Sequence, residues 1–381
     1  MPCWPCRQTV DVMTERGGYD YWLLAVAAVL TAIGVLMVYS SSSIMAAEHY
    51  KDGFYFLKRQ GSFALVGILL LLAAMRIDYH HLRRLAALGL LISAVLLALV
   101  LVPGVGASAG GAARWIRIAG FTLQPSEIAK VALVLFMAHS LARKPEKNLR
   151  TFKLGVLPYL VILGMMLVML MLQPDLGSSM TMGAVALGMM LVAGSCFRHI
   201  LVSILPALPA LYVAIWRVDY RRRRMLAFMD PWKYPSDEGF QITQSLIAFA
   251  NGGWKGQGLG QSQQKLFFLP EAHTDFIFSV VGEEAGFIGV LTIAVLFLVL
   301  VWLGLRIAWM APDEFGRYLA FGLTLLLGLE AFTNMAVVMS LLPTKGLALP
   351  FLSYGGSSLV VSLLAVGILL NISSQIEGGK S

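Results

Sequence analysis

Arg217, Arg221, Arg222, Arg223 and Arg224 crowd five guanidinium groups between positions 217 and 224. Guanidinium forks grip phosphate oxygens in pairs, so a run this dense suits a diphosphate ligand; the competing reading is simple anchoring in anionic lipid headgroups. Downstream, Asp275 stands in Leu269-Pro270-Glu271-Ala272-His273-Thr274-Asp275-Phe276-Ile277-Phe278, where a polar stretch runs directly into an apolar one. Partial desolvation at such a junction raises a carboxylate's basicity and suits it to general-base work. The plainer reading of Asp275 is a residue that starts a helix. Together these residues offer an anion clamp and a proton acceptor.

Few other ionisable residues lie in or beside apolar runs, and the cost of placing them there makes each a candidate. Glu127 and Lys130, in Gln124-Pro125-Ser126-Glu127-Ile128-Ala129-Lys130, follow helix-start residues and share one helix face, either as a structural ion pair or as part of a site. Asp175, in Gln173-Pro174-Asp175-Leu176-Gly177, either caps the following helix or serves the site. Arg114 and Trp115 either anchor the interface or touch a ligand, and Glu283 and Glu284 follow Asp275 by about two helical turns. The stretch Gly252-Gly253-Trp254-Lys255-Gly256-Gln257-Gly258-Leu259-Gly260 lacks the Gly-Lys-Ser/Thr ending of a phosphate loop and reads as turn chemistry. Ser353 to Ser358 opens the last apolar run with small residues that permit close helix packing or an opened backbone. Cys3-Trp4-Pro5-Cys6 has redox-motif spacing without the strand-helix-strand context such motifs need, and is read as part of a disordered leader over 1–20, ahead of a second start at Met13.

A membrane domain must position these groups. Of 381 residues 58% are hydrophobic and 13% charged, and the mean hydropathy of +0.76 lies outside the range of soluble domains. No nucleic-acid partner is expected. Apolar runs long enough to cross a core of about 30 Å fall near 22–40, 56–75, 85–102, 127–142, 155–172, 177–194, 198–216, 276–305, 317–341 and 353–374. The expected fold is an all-α polytopic membrane protein of about ten transmembrane helices, with a domain over 21–376, a tail over 377–381 and a long loop over 217–275 between helices 7 and 8. Arg76, Arg83, Arg84, Arg143, Lys144, Lys147, Arg150, Lys153, Arg198, Arg306 and Arg317 gather in the loops of one side, which places both termini in the cytoplasm. The 217–275 loop then lies outside despite its arginines, as loops of this length can.

These segments resemble the SEDS family (shape, elongation, division and sporulation). The match rests on Arg114-Trp115-Ile116, Gln124 to Lys130, Gln173 to Gly177, Tyr220 to Arg224, Asp230-Pro231-Trp232, Pro270 to Phe278, Gly282-Glu283-Glu284 and Pro350 to Ser358, in the family's order. Leu342-Pro343-Thr344-Lys345-Gly346-Leu347 resembles the division branch more than the elongation branch, while Gly110 departs from the asparagine common in relatives. The resemblance implies a peptidoglycan glycosyltransferase of the bacterial inner membrane, working at the division septum. Its substrate would be lipid II and its released product undecaprenyl diphosphate. The implied base is Asp275, with Arg221, Arg224, Lys130, Glu127, Arg114, Trp115, Asp175 and Lys345 binding substrate. A divalent cation, Mg or Mn, is implied, and no organic cofactor. The implied partners are a class B penicillin-binding protein and other division proteins. Competing readings are an elongation-type transferase, a flippase for the same lipid and a noncatalytic scaffold.

Overall fold

The computed structural model describes residues 18–376 apart from 110, 111, 119, 120, 206–208, 210, 211, 214, 215, 234–238, 266–268, 270, 271, 344 and 345. The leader up to 17, the tail 377–381, Gly110 and Lys345 therefore lie outside the described residues. Apolar runs in lipid must satisfy their own backbone groups, and helices do so. In chain order these are α1 (Tyr21–Tyr50), α2 (Tyr55–Arg76), α3 (Leu82–Val100, entered by a 3-10 turn at Tyr79–His81), α4 (Pro125–Ala142), the short α5 (Glu146–Leu149), α6 (Leu157–Leu172), α7 (Leu176–Val192), α8 (Phe197–Ile204), α9 (Asp219–Met229), α10 (Phe240–Gly252), α11 (Ile277–Met310), α12 (Glu314–Val338) and α13 (Gly356–Ser373). Among the described residues, 8 of these segments are long and apolar enough to cross a membrane, and α7 is apolar but shorter. The seventh expected span, 198–216, falls on α8 and on residues partly outside those described.

The interior is built from α4, α12 and α13, the most buried of the long helices, while α2, α3 and α6 turn most of their apolar surface outward. α13 lies along α2 at backbone contact: a Cβ on Gly367 would stand 2.7 Å from the Leu71 carbonyl oxygen. Small residues permit that approach, and packing takes the place of the hydrophobic drive that lipid removes.

Two features depart from a purely helical expectation. The connection from α3 to α4 is a three-stranded antiparallel sheet, β1 (Gly106–Ala109), β2 (Ala112–Ile118) and β3 (Phe121–Leu123), in the order β1-β2-β3. Ala107 pairs with Trp115 and Arg117 with Thr122. In addition, α11 is broken at Gly286, whose φ of 65° and ψ of −164° interrupt the helix after Ala285. A break orphans the carbonyls of the preceding turn. The glycine-rich stretch satisfies them: the Gln257 and Gly258 amides donate to the Glu283 and Glu284 carbonyls at 2.9 and 3.0 Å. Gly253, Gly256, Gly258 and Gly260 all have positive φ, as turn chemistry requires. Within 217–275 the described residues include α9, α10 and this turn, and Glu283 and Glu284 are buried.

Candidate active site

Asp275 lies in the turn that leads into α11. The N-cap residue of α11 is Phe276, which has no polar side chain to cap it, and Asp275 directly precedes it. The Asp275 backbone carbonyl accepts a hydrogen bond from Asn334 Nδ2 on α12 at 2.9 Å, and the same amide donates to the Leu347 carbonyl at 2.6 Å. Gly346 sits beside this junction. A Cβ built there would lie 3.2 Å from Asp275 Oδ2 and 3.4 Å from Arg114 Nη1, so carboxylate and guanidinium border one small space.

Arg114 reaches that space from β2, where strand alternation sends it and the buried Ile116 to one face and the exposed Arg117 to the other. Trp115, half-buried, follows it in the strand. The Arg114 Nε donates to the Gln173 carbonyl at 3.3 Å and its Nη2 to the Pro174 carbonyl. Gln173 is itself fixed by donating to the Leu97 carbonyl at 2.8 Å. Asp175 caps α7, accepting from the Ser178 amide at 3.1 Å and its hydroxyl at 2.7 Å. Its helix-cap reading is what the geometry supports. On the far side of Asp275, the Tyr354 amide donates to the His273 carbonyl at 2.9 Å, and the His273 ring packs on Phe56 and Tyr354. Burial pushes the Tyr354 phenol above its ordinary value, which keeps it neutral.

Deeper in the bundle, Lys130 donates to Glu127 Oε1 at 2.8 Å and also to Glu330 Oε1. The lysine side chain is only 1% exposed. Of the two readings of Glu127 and Lys130, the geometry supports the ion pair, extended to a third member. Asp175 is a charged neighbour of Glu330. Glu330 was not expected, although a lone carboxylate after Leu325-Leu326-Leu327-Gly328-Leu329 carries the signal of an intramembrane charge. Asn334, one helical turn further on the same face of α12, was also missed. That face ties the buried lysine to the Asp275 junction.

The arginine run forms much of α9. Arg221 and Arg224, three apart, lie on its half-buried face, while Arg222 and Arg223 are exposed and Arg222 pairs with Asp219 at 3.0 Å. The turn after α9 touches α10, where Thr243 donates to the Pro231 carbonyl at 3.4 Å. α10 is joined in turn to the first segment of α11 by the Ser245 and Ser279 hydroxyls, 2.8 Å apart. Glu283 accepts from Ser262, from the Gln264 amide at 3.2 Å and from Asn251 at 3.4 Å; Glu284 accepts from Ser40 at 2.7 Å and Lys265 at 3.1 Å. These two carboxylates anchor the loop that precedes α11. Among the described residues no group of three or more His, Cys, Asp or Glu side chains could hold a metal ion.

The chemistry available is that of one carboxylate beside one guanidinium, at a loop junction backed by packed helices. Comparison with known proteins places this arrangement in context. The pattern of the cell cycle protein family of FtsW, RodA and SpoVE matches residues 21–377. A probable peptidoglycan glycosyltransferase FtsW of Geobacter metallireducens is 57% identical over 366 residues, covering 96% of this chain and 97% of that one. The stage V sporulation protein E of Bacillus subtilis is 42% identical over 360 residues, covering 94% and 98%. Among solved structures, a chain of a peptidoglycan synthase complex that coordinates polymerization and crosslinking superposes with a TM-score of 0.78 at 29% identity, over 95% of this chain and 99% of that one. The rod shape determining protein RodA of Thermus thermophilus gives 0.69 at 27% identity, over 95% and 98%.

Proposed function

We propose, from the premise that the chain belongs to the cell cycle protein family of FtsW, RodA and SpoVE, that the space between Asp275, Arg114 and Gly346 is the active site of a peptidoglycan glycosyltransferase. The chain polymerises lipid II into glycan strands during cell division, as the naming of its FtsW relatives supports. An acceptor sugar hydroxyl attacks the anomeric carbon of the donor. The new carbon-oxygen bond forms as the bond to the diphosphate breaks; undecaprenyl diphosphate leaves with the electron pair, and Asp275 takes the hydroxyl proton. A diphosphate needs no protonation to leave, so one base and a cationic clamp suffice. The carrying observation is that Asp275 Oδ2 and Arg114 Nη1 border the same space at Gly346.

Arg221 and Arg224 are assigned to the donor diphosphate, because a basic face on α9 runs against the charge bias of an outer segment. Replacing both with Gln is expected to lower kcat/KM for lipid II by about 10- to 100-fold, the worth of one or two charge-assisted hydrogen bonds, while the thermal unfolding midpoint stays within a few degrees. Full activity of the double variant at limiting lipid II would remove the clamp.

Both termini are assigned to the cytoplasm and the 217–275 segment to the outside, on the charge distribution of the short loops. Lys255 and Gln261 are exposed and can report on which side this segment lies. In a background without Cys3, Cys6 and Cys196, Lys255→Cys and Gln261→Cys should react with impermeant thiol reagents in intact spheroplasts. Reaction only after lysis would reverse the orientation. The likeness to a chain of a peptidoglycan synthase complex supports a standing partnership with a class B penicillin-binding protein. Such a complex would hold the new strand at high effective concentration beside the transpeptidase.

A further inference from the structure

We propose that Asn334 is the positioning residue of the reaction: its amide staples the Asp275 peptide to the Leu347 peptide and so sets the Asp275 carboxylate against Arg114 and Gly346. The inference rests on the reading of Asp275 as the base. Asn334 is 2% exposed. Its Nδ2 donates to both carbonyls, at 2.9 and 2.6 Å. Two carbonyl acceptors can be met only by the NH2 end of an amide, so the side chain has one orientation here. Its Oδ1, by contrast, is buried and takes no hydrogen bond among the described residues. A buried acceptor left idle is unfavourable, and leucine would fill a similar volume without it. Packing alone therefore does not account for asparagine at this position.

What the two hydrogen bonds accomplish follows from the segments they join. Asp275 and Leu347 both lie in irregular backbone, outside α11 and α13, where helix geometry does not fix them. Leu347 carries Gly346 with it, and α7 packs on Leu347 closely enough that a Cβ on Gly177 would stand 2.8 Å from its Cγ. Leu347 is thus packed through its side chain on α7 and held through its carbonyl by Asn334. Asp275 is registered to it through the same amide. Arg114 comes from a third element, β2, and borders the same space as the Asp275 carboxylate, so a shift of this register would change their separation.

Asn334→Asp is isosteric but turns the donor into an acceptor facing two carbonyls, and Asn334→Ser shortens the staple. Both variants are expected to lose some thermal stability, Asn334→Asp the more because it buries a carboxyl against two carbonyls, yet to accumulate and to co-purify with the transpeptidase partner. With purified lipid II, kcat should fall by about 10- to 100-fold while KM stays within about twofold, because displacing a base by roughly 1 Å costs about that much without altering ground-state binding. Unchanged kcat in either folded variant, or a raised KM at unchanged kcat, would overturn the assignment. Failure of both variants to accumulate would also overturn it, by making Asn334 a structural residue. Asp275→Asn, assayed alongside, separates the two readings: an active Asp275→Asn removes the base, whereas an inactive one with unimpaired Asn334 variants removes only the positioning role.

Discussion

Asp275→Asn is expected to fold, to bind its transpeptidase partner and to lose lipid II polymerisation by about 100- to 10,000-fold, the usual worth of general-base help. The substitution is nearly isosteric. Asparagine keeps a side-chain oxygen that can accept from a backbone amide at a helix start, so much of any capping role is preserved. It also leaves the backbone carbonyl that Asn334 holds untouched. What changes is the proton-accepting oxygen beside Arg114. Initial rates of glycan formation, compared at equal amounts of folded protein, read that change directly. A near-normal rate would send the search for a base elsewhere, and the structure leaves poor substitutes: Asp175 is occupied by Ser178 at the start of α7, and Glu127 by Lys130.

Lys130→Met should act in the opposite way, on stability. Its ammonium is clasped by two carboxylates in the bundle interior, with Asp175 near one of them. Removing the cation strands like charges in a place water does not reach, and breaking such a buried pair typically costs about 3–5 kcal/mol. The thermal unfolding midpoint of the detergent-purified variant should drop sharply, and less protein should accumulate in the membrane. Neutralising the partners in the same chain, as Lys130→Met with Glu127→Gln and Glu330→Gln, should restore much of the loss. A Lys130→Met variant as stable as its parent but weak in lipid II binding would instead make this lysine a phosphate ligand.

The contrast between these two residues shows what a sequence discloses. Asp275, Arg114 and the arginine run stand out as candidates in the sequence because an ion next to an apolar run costs free energy wherever the chain goes, so its mere presence is a signal. The helices were legible for the related reason that lipid admits little else. Glu330 carried the same signal as Asp275, yet its partner Lys130 sits on α4, and pairing across helices depends on packing that no local pattern encodes. Asn334 is less legible still. An asparagine in an apolar helix is unremarkable until the two carbonyls it holds, at Asp275 and Leu347, are brought to it from separate loops. The glycines of 252–260 announced turns, but that the turn closes the break at Gly286 depends on a contact with Glu283 and Glu284 that only the fold makes. The sheet that carries Arg114 was hidden by short, alanine-rich strands without a marked alternation.

Reconstitution decides the central claim. The purified chain with its class B penicillin-binding protein, given lipid II in proteoliposomes, should convert it to a ladder of glycan strands, and should stop when Asp275→Asn replaces the parent. A preparation that carries lipid II from one leaflet to the other yet forms no glycan with or without the partner would contradict the account and make the chain a transporter.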